Sequence, residues 1–130
     1  MTRREIQPAS VPTPVAEYAH GVEVSGGRTL YLAGQIALDA DGNLVGEDDV
    51  RAQTRQVFTN IEAIIEEAGG SISDIVKMTT FLTDMSDYAA FCEVRGEFLK
   101  PPYPAATLVE TPALVRPEWL VEVEAIAVIE

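Results

Sequence analysis

Leu120-Val121-Glu122-Val123-Glu124-Ala125-Ile126-Ala127-Val128 is an apolar run interrupted twice by a carboxylate. Side chains on a strand alternate between faces, so Val121, Val123, Ala125 and Ala127 make one small, smooth apolar face, and Leu120, Glu122, Glu124, Ile126 and Val128 make the other. The two acids point the same way. Burying an unpaired carboxylate costs roughly several kcal/mol, so two of them in the middle of a hydrophobic strand require partners, water or a chemical task. The acidic face is therefore the first candidate site.

A strand with a smooth apolar face needs a cover, and the upstream sequence supplies two amphipathic helices. From 50 to 68, Val50, Thr54, Val57, Phe58, Ile61, Ile64, Ile65 and Ala68 recur every three or four residues, one buried stripe that Gly69-Gly70 terminates. Ser86 caps a shorter helix with Tyr88, Phe91, Val94 or Arg95, and Phe98 on one side, stopped by Pro101-Pro102. Residues 75–82 are rich in β-branched and aromatic side chains, and 105–110 and 120–129 complete the sheet. Residues 18–24 and 29–32 flank Ser25-Gly26-Gly27, a turn signal that predicts a hairpin. Residues 1–16 carry Pro8, Pro12 and Pro14 without periodicity and read as an extended arm, which leaves 17–130 as a single domain. The predicted order is β-β-α-β-α-β-β with both helices on one face. Leu32, Met78, Leu82, Leu120 and Ile126 are assigned to the opposite face, and covering it predicts a closed homo-oligomer.

The composition, 47% apolar and 23% charged, is that of a folded chain able to bury a core. No apolar run reaches bilayer length, and Met1-Thr2-Arg3-Arg4-Glu5 lacks the hydrophobic core of a signal peptide, so a cytoplasmic protein with no membrane partner is expected. The net charge of −12, from 21 acids against nine Lys and Arg, repels a phosphate backbone and argues against nucleic acid as a partner. Cys92 and His20 are the only residues of their kinds, too few for a Cys/His zinc set, so no metal is expected.

Several segments in register give the chain a resemblance. They are Tyr18-Ala19-His20-Gly21-Val22, Leu32-Ala33-Gly34-Gln35-Ile36, Gln53-Thr54-Arg55-Gln56-Val57 with Asn60-Ile61, Asp74-Ile75-Val76-Lys77, Phe81-Leu82-Thr83-Asp84-Met85, and Val121-Glu122-Val123-Glu124-Ala125-Ile126-Ala127. Together they resemble the Rid, or YjgF-like, reactive-intermediate deaminases. The resemblance implies a chorismate-mutase-like α+β fold with a mixed sheet. It also implies a homotrimer whose packed sheets form a central barrel with three clefts between subunits. In the imine-hydrolysing branch it implies release of ammonia from enamines and imines without metal or organic cofactor.

The same resemblance implies site residues. Glu122 matches the carboxylate that orients a water for attack on the imine carbon, a general-base role; the plainer reading is an acid paired across an interface. Tyr18 matches a cleft residue whose hydroxyl reaches the ligand, and is equally a core residue with a polar tip. Ala33 and Gly34 fall where the family places cleft-lining backbone, Gly34 allowing close approach of a ligand. The family grips a substrate carboxylate with an arginine in a Pro-Ala-Arg segment; here Tyr103-Pro104-Ala105-Ala106-Thr107 puts Ala106 in its place. Each charge-assisted hydrogen bond is worth about 1.5–3 kcal/mol, so carboxylate substrates lose orders of magnitude unless another cation stands in.

Thr107, beside the substituted position, offers a hydroxyl or backbone contact, and Arg95 and Arg116 are the candidate replacement cations. Cys92, one turn from Arg95, is a candidate lining residue that reads first as a small packing residue, and His20 reads as structural. The expected function is hydrolysis of an imine, enamine or related reactive metabolite between subunits, with Glu122 directing water, in a protein that is not an efficient 2-imino acid deaminase. The alternative is a non-catalytic module that binds a metabolite or a partner protein on the same trimer.

Overall fold

In a computed structural model that describes residues 1–130, the chain runs β1 (Thr2–Ile6), β2 (Gly21–Ser25), β3 (Arg28–Gln35), α1 (Val50–Glu67), β4 (Ile75–Leu82), α2 (Tyr88–Phe98), β5 (Ala105–Glu110) and β6 (Val121–Ile129). Four strands form a mixed sheet in the order β3-β6-β4-β5, with β6 antiparallel to both neighbours and β5 parallel to β4 through the α2 crossover. Val121, Val123, Ala125, Ala127 and Ile129 of β6 are all buried in one core with Val57, Phe58, Ile61 and Ile65 of α1 and Phe91 of α2. Each Val, Ile or Phe side chain among them contributes about 1.5–3 kcal/mol by leaving water. Phe58 stacks on Phe98 at 5.3 Å between ring centroids and lies 6.1 Å from Phe91, which ties the helices to each other as well as to the sheet.

Helix α1 starts at Asp49, whose carboxylate accepts from the Ala52 N–H at 3.1 Å, and stops at Gly69, whose φ of +90° suits glycine. Its buried stripe includes Gln53, and Ile64, counted in the stripe by spacing, turns outward. The entry to α2 differs from the sequence reading. Ser86 does not cap α2: the N-cap is Asp87, which makes no side-chain cap bond, and the preceding 3-10 turn, Met85–Asp87, is capped by Asp84, whose carboxylate accepts from the Ser86 N–H at 2.9 Å and the Ser86 hydroxyl at 2.7 Å.

The hairpin does not form. Gly26 and Gly27 do turn the chain, with φ of +78° and +80°, but β2 pairs antiparallel with β1 in a separate two-stranded ribbon while β3 joins the main sheet. A Cβ on Gly27 would lie 2.8 Å from Val128 Cγ1 and 3.0 Å from the Ile129 carbonyl, so the turn is pressed against the end of β6. The partner of β2 comes from residues 1–16, where Thr2–Ile6 is a strand that the prolines after it conceal.

The face assignment also needs correcting. Leu32 and Met78 pair with Ala125, and Leu82 with Val121, and cross-strand partners share a face, so all three belong to the helix-covered core. Of the five residues assigned to the open face, Ile126 is on it, and Leu120 precedes β6 with its N–H bonded to Gln53. The open face carries Tyr31, Lys77, Thr79, Phe81, Glu122, Glu124 and Ile126. No helix is long and apolar enough to cross a membrane.

Gln53 holds the loop before β6. Fully buried, its amide donates to the carbonyls of Gly46 and Glu118, both at 3.0 Å, and accepts from the Leu120 N–H at 2.9 Å. Gln53→Leu orphans all three groups and is expected to cost at least about 2 kcal/mol, read as a lower urea midpoint at unchanged slope. A cost under about 0.5 kcal/mol would mean that water takes over these bonds.

Candidate functional site

Glu122 lies on the open face of β6, opposite Phe81 of β4. On its other side β3 is irregular: Leu32 pairs with Ala125 but Gln35 with Val123, so one extra residue is accommodated at Ala33-Gly34. Such a bulge re-aims the strand. It turns Gly34 toward Glu122, where an added Cβ would stand 2.9 Å from both Cδ and Oε2 of the carboxylate. The bare backbone of Gly34, expected to line a cleft, therefore lies directly beside the Glu122 carboxylate. The carboxylate is half-buried, and no donor or cation of the same chain meets it. Glu124, next on the same face, is exposed and borders a depression of about 350 Å³ with Tyr31, Lys77 and Thr79.

The remaining candidates gather elsewhere. A recess of about 290 Å³ between α2 and β5 is lined by Tyr18, Thr80, Tyr88, Arg95, Ala106 and Leu108 among others, with Thr107 at its rim. Tyr18 is brought there by the next residue, Ala19, whose N–H donates to the Pro104 carbonyl at 3.0 Å and which bridges to Ala105 alongside β5. The Tyr18 ring meets His20 edge-on at 5.6 Å, and the His20 ring nitrogen Nε2 bonds the Pro12 carbonyl at 2.6 Å, which anchors the segment. The Thr107 hydroxyl accepts from Lys77 Nζ at 3.2 Å.

Arg95 stands out within this recess. It is only 5% exposed, and its Nε–H has no acceptor. Its Nη2 lies 3.6 Å from Cys92 Sγ, a weak acceptor, and its guanidinium carbon is 5.7 Å from the Phe91 ring centroid. Cys92 packs against the core beneath it. The neighbouring Cys92 thiol, and then burial, push the Tyr88 phenol above its ordinary value, while the Arg95 charge opposes them. Arg116, the other candidate cation, is exposed in a different depression beside Leu38 and Trp119, away from Ala106.

These two groups sit on opposite faces of the sheet. Ala106 pairs with Met78 and Glu122 with Phe81, and residues three apart on β4 face opposite ways. Within one chain, Glu122 with Ala33 and Gly34 does not meet Tyr18, Arg95 and Ala106. Thr80 and Tyr88 were not among the sequence candidates for this recess. The spacing of Tyr88, Cys92 and Arg95, four and seven residues along one helix, was the available signal that they share a face. No group of three or more His, Cys, Asp or Glu side chains is placed to hold a metal ion.

The fold is chorismate-mutase-like α+β, a mixed sheet with two helices on one face. Residues 8–129 match the Endoribonuclease L-PSP family, and the chain belongs to this family of Rid (YjgF-like) proteins. It is 37% identical over 127 residues to a RutC family protein of Pyrococcus abyssi, covering 98% of each chain. It is 36% identical over 128 residues to a 2-iminobutanoate/2-iminopropanoate deaminase of Dermatophagoides farinae, again 98% of each. Among solved structures, the Rid-family protein YyfB of Yersinia pestis superposes with a TM-score of 0.89 at 38% identity, over 99% of this chain and 100% of that one.

Gly34→Ala is expected to leave the melting temperature within about 2 °C, because the clash falls on the flexible end of a side chain, and to rotate the Glu122 carboxylate away in a crystal structure of the variant. At the mouth of α2, burial and then the Asp84 charge raise the Asp87 carboxyl above its ordinary value. Unfolded, Asp87 ionises near about pH 3.9, so its penalty on the fold is absent below that pH, builds through the folded value and is complete above it. Asp87→Asn should therefore raise the melting temperature at pH 7, with the gain vanishing toward pH 3.5 in a thermal titration.

Proposed function

We propose that this protein hydrolyses a small imine or enamine-type metabolite, with Glu122 directing the attacking water, in a cleft that two copies complete. The observation that carries the reading is the Glu122 carboxylate itself. It is half-buried in the middle of β6, seated against Gly34, and meets no cation or donor of its own chain. A carboxylate placed so, without a structural partner, leaves its oxygens free to take a hydrogen bond from a water. Family membership and the deaminase name of the mite relative support the reaction class.

The chemistry needs only proton transfers. Glu122 takes a proton from water as the water oxygen bonds to the imine carbon, and the nitrogen gains a proton as the C=N π bond breaks. The carbinolamine then collapses: protonated Glu122 gives its proton to the amine nitrogen, the C–N bond breaks with its electron pair on nitrogen, and ammonia departs as the hydroxyl proton passes to solvent and the carbonyl forms. An enamine enters the same route by protonation at carbon. General-base assistance of this kind contributes about 10²–10⁴-fold.

Tyr18, Arg95 and Ala106, the groups suited to hold a ligand, lie on the helix-covered side of the sheet at its β5 edge, whereas Thr107, paired with Thr79, shares the open face with Glu122. A second copy laying its open face against this edge brings them together, which is why we place the reaction between subunits of a homo-oligomer, a trimer as in the family arrangement. Strand β5 itself offers no cation at Ala106, so turnover of 2-imino acids depends on a cation from elsewhere. A ribonucleolytic reading has little support: the net charge is −12, and the one histidine is engaged with the Pro12 carbonyl.

Freshly generated 2-iminobutanoate and a neutral imine provide the test, with ammonia release as the readout. The parent is expected to release ammonia from at least one of them, Glu122→Gln to lose about 10²-fold or more, and Gly34→Ala to lose activity in proportion to the displaced carboxylate. Release unchanged in Glu122→Gln, or absent from the parent on both substrates, rejects the assignment and leaves binding without turnover.

A further inference from the structure

We infer that the recess between α2 and β5 is a carboxylate subsite whose cation is contributed by the helix, through Arg95, rather than by the strand. This deepens the reading above and rests on it only for the identity of the reacting group. Seven of the nine cationic side chains have oxygen acceptors. Arg4, Arg51 and Arg55 pair with Glu23, Glu93 and Glu97, Arg3, Arg28 and Lys100 bond backbone carbonyls, and Lys77 bonds Thr107. All of these bonds are at exposed positions. Arg95 is the deeply buried one, 5% exposed, and its only hydrogen-bond partner is a thiol at 3.6 Å.

That distribution is the reverse of what stability alone favours. A buried guanidinium gains from a carboxylate or several carbonyls around it, and this chain has 21 acids to choose from, none of which reaches Arg95. Its Nε–H is the one buried side-chain polar atom without a partner. The cation lines a recess of about 290 Å³ together with Tyr18, Tyr88 and Ala106. An anion entering there meets an uncompensated charge in a desolvated setting, flanked by two phenols. Ala106 adds no bulk to the strand wall, so the rest of the ligand has room beside the clamp. A carboxylate is the anion committed to, since its two oxygens match the planar fork of the guanidinium.

The probe is 2-oxobutanoate, the carbonyl product expected from the corresponding imine, with its neutral amide as control, titrated calorimetrically into the intact protein. The parent should bind the acid saturably and the amide at least about tenfold more weakly, and Arg95→Met should weaken the acid by about 10- to 100-fold without changing the amide. Because the cation lacks a counter-ion, Arg95→Met should also melt no lower than the parent, which a merely structural arginine would not allow. Adding Ala106→Arg to Arg95→Met should restore acid binding from the strand side.

Should Arg95→Met fail to fold, Arg95→Lys decides, keeping the charge and losing the fork, with several-fold weaker acid binding expected. No saturable binding by the parent, equal affinity for acid and amide, or affinity unchanged in the Arg95 variants overturns the subsite. The two readings separate cleanly. Arg95-dependent binding without ammonia release removes the hydrolysis and keeps the subsite, whereas ammonia release with Arg95-independent binding does the reverse.

Discussion

Strand β6 is hydrogen-bonded along both edges, to β3 and β4, and every second side chain from Val121 to Ile129 is packed beneath the helices. Its register therefore admits no slip. Moving it by one residue would drive Glu122 and Glu124 into a core that holds Phe58, Ile61 and Ile65, at a cost of several kcal/mol, roughly, for each acid. The neighbours inherit that phase. Met78, Thr80 and Leu82 face the helices because they pair with Ala125, Val123 and Val121 of the buried set, and Lys77, Thr79 and Phe81 face out because Ile126, Glu124 and Glu122 do.

That phasing also separates the chemistry of the molecule. The acid faces one way, the recess containing Arg95 the other, and the sheet between them is too well packed to let either side chain cross. Two devices adjust the halves locally. The bulge at Ala33-Gly34 clears room for the Glu122 carboxylate, and the bridge from Ala19 to β5 carries Tyr18 to the recess although that segment lies outside the main sheet. Both depart from regular strand geometry, and both do so beside candidate functional residues.

Much of the architecture was readable in the residues. The alternation in β6, the 3.6-residue spacing in α1 and the glycine stop after it identified elements because the same hydrophobic face that marks them in sequence is buried in the fold. What misled were signals with two structural outcomes. Ser25-Gly26-Gly27 reverses the chain direction, but which strand then pairs with β2 is decided by Thr2–Ile6, whose extended character the later prolines hide. Leu32, Met78 and Leu82 are apolar and alternate correctly, yet alternation is silent about which phase meets the helices until the pairing with Ala125 and Val121 is known.

The sequence by itself determined the identity of the family, the presence of an acid at Glu122 and the absence of an arginine at position 106, because these are statements about which residue occupies which position in a recognisable order. Only tertiary structure decided that Arg95, not Arg116, shares a recess with Ala106, that Gly34 makes room for Glu122, and that Glu122 and Ala106 look away from each other. The reason is geometric. Helix α2 is positioned by the packing of Phe91 and Phe98 on Phe58, contacts more than thirty residues apart in the chain, and no local pattern records which strand residues will share a recess with its side chains.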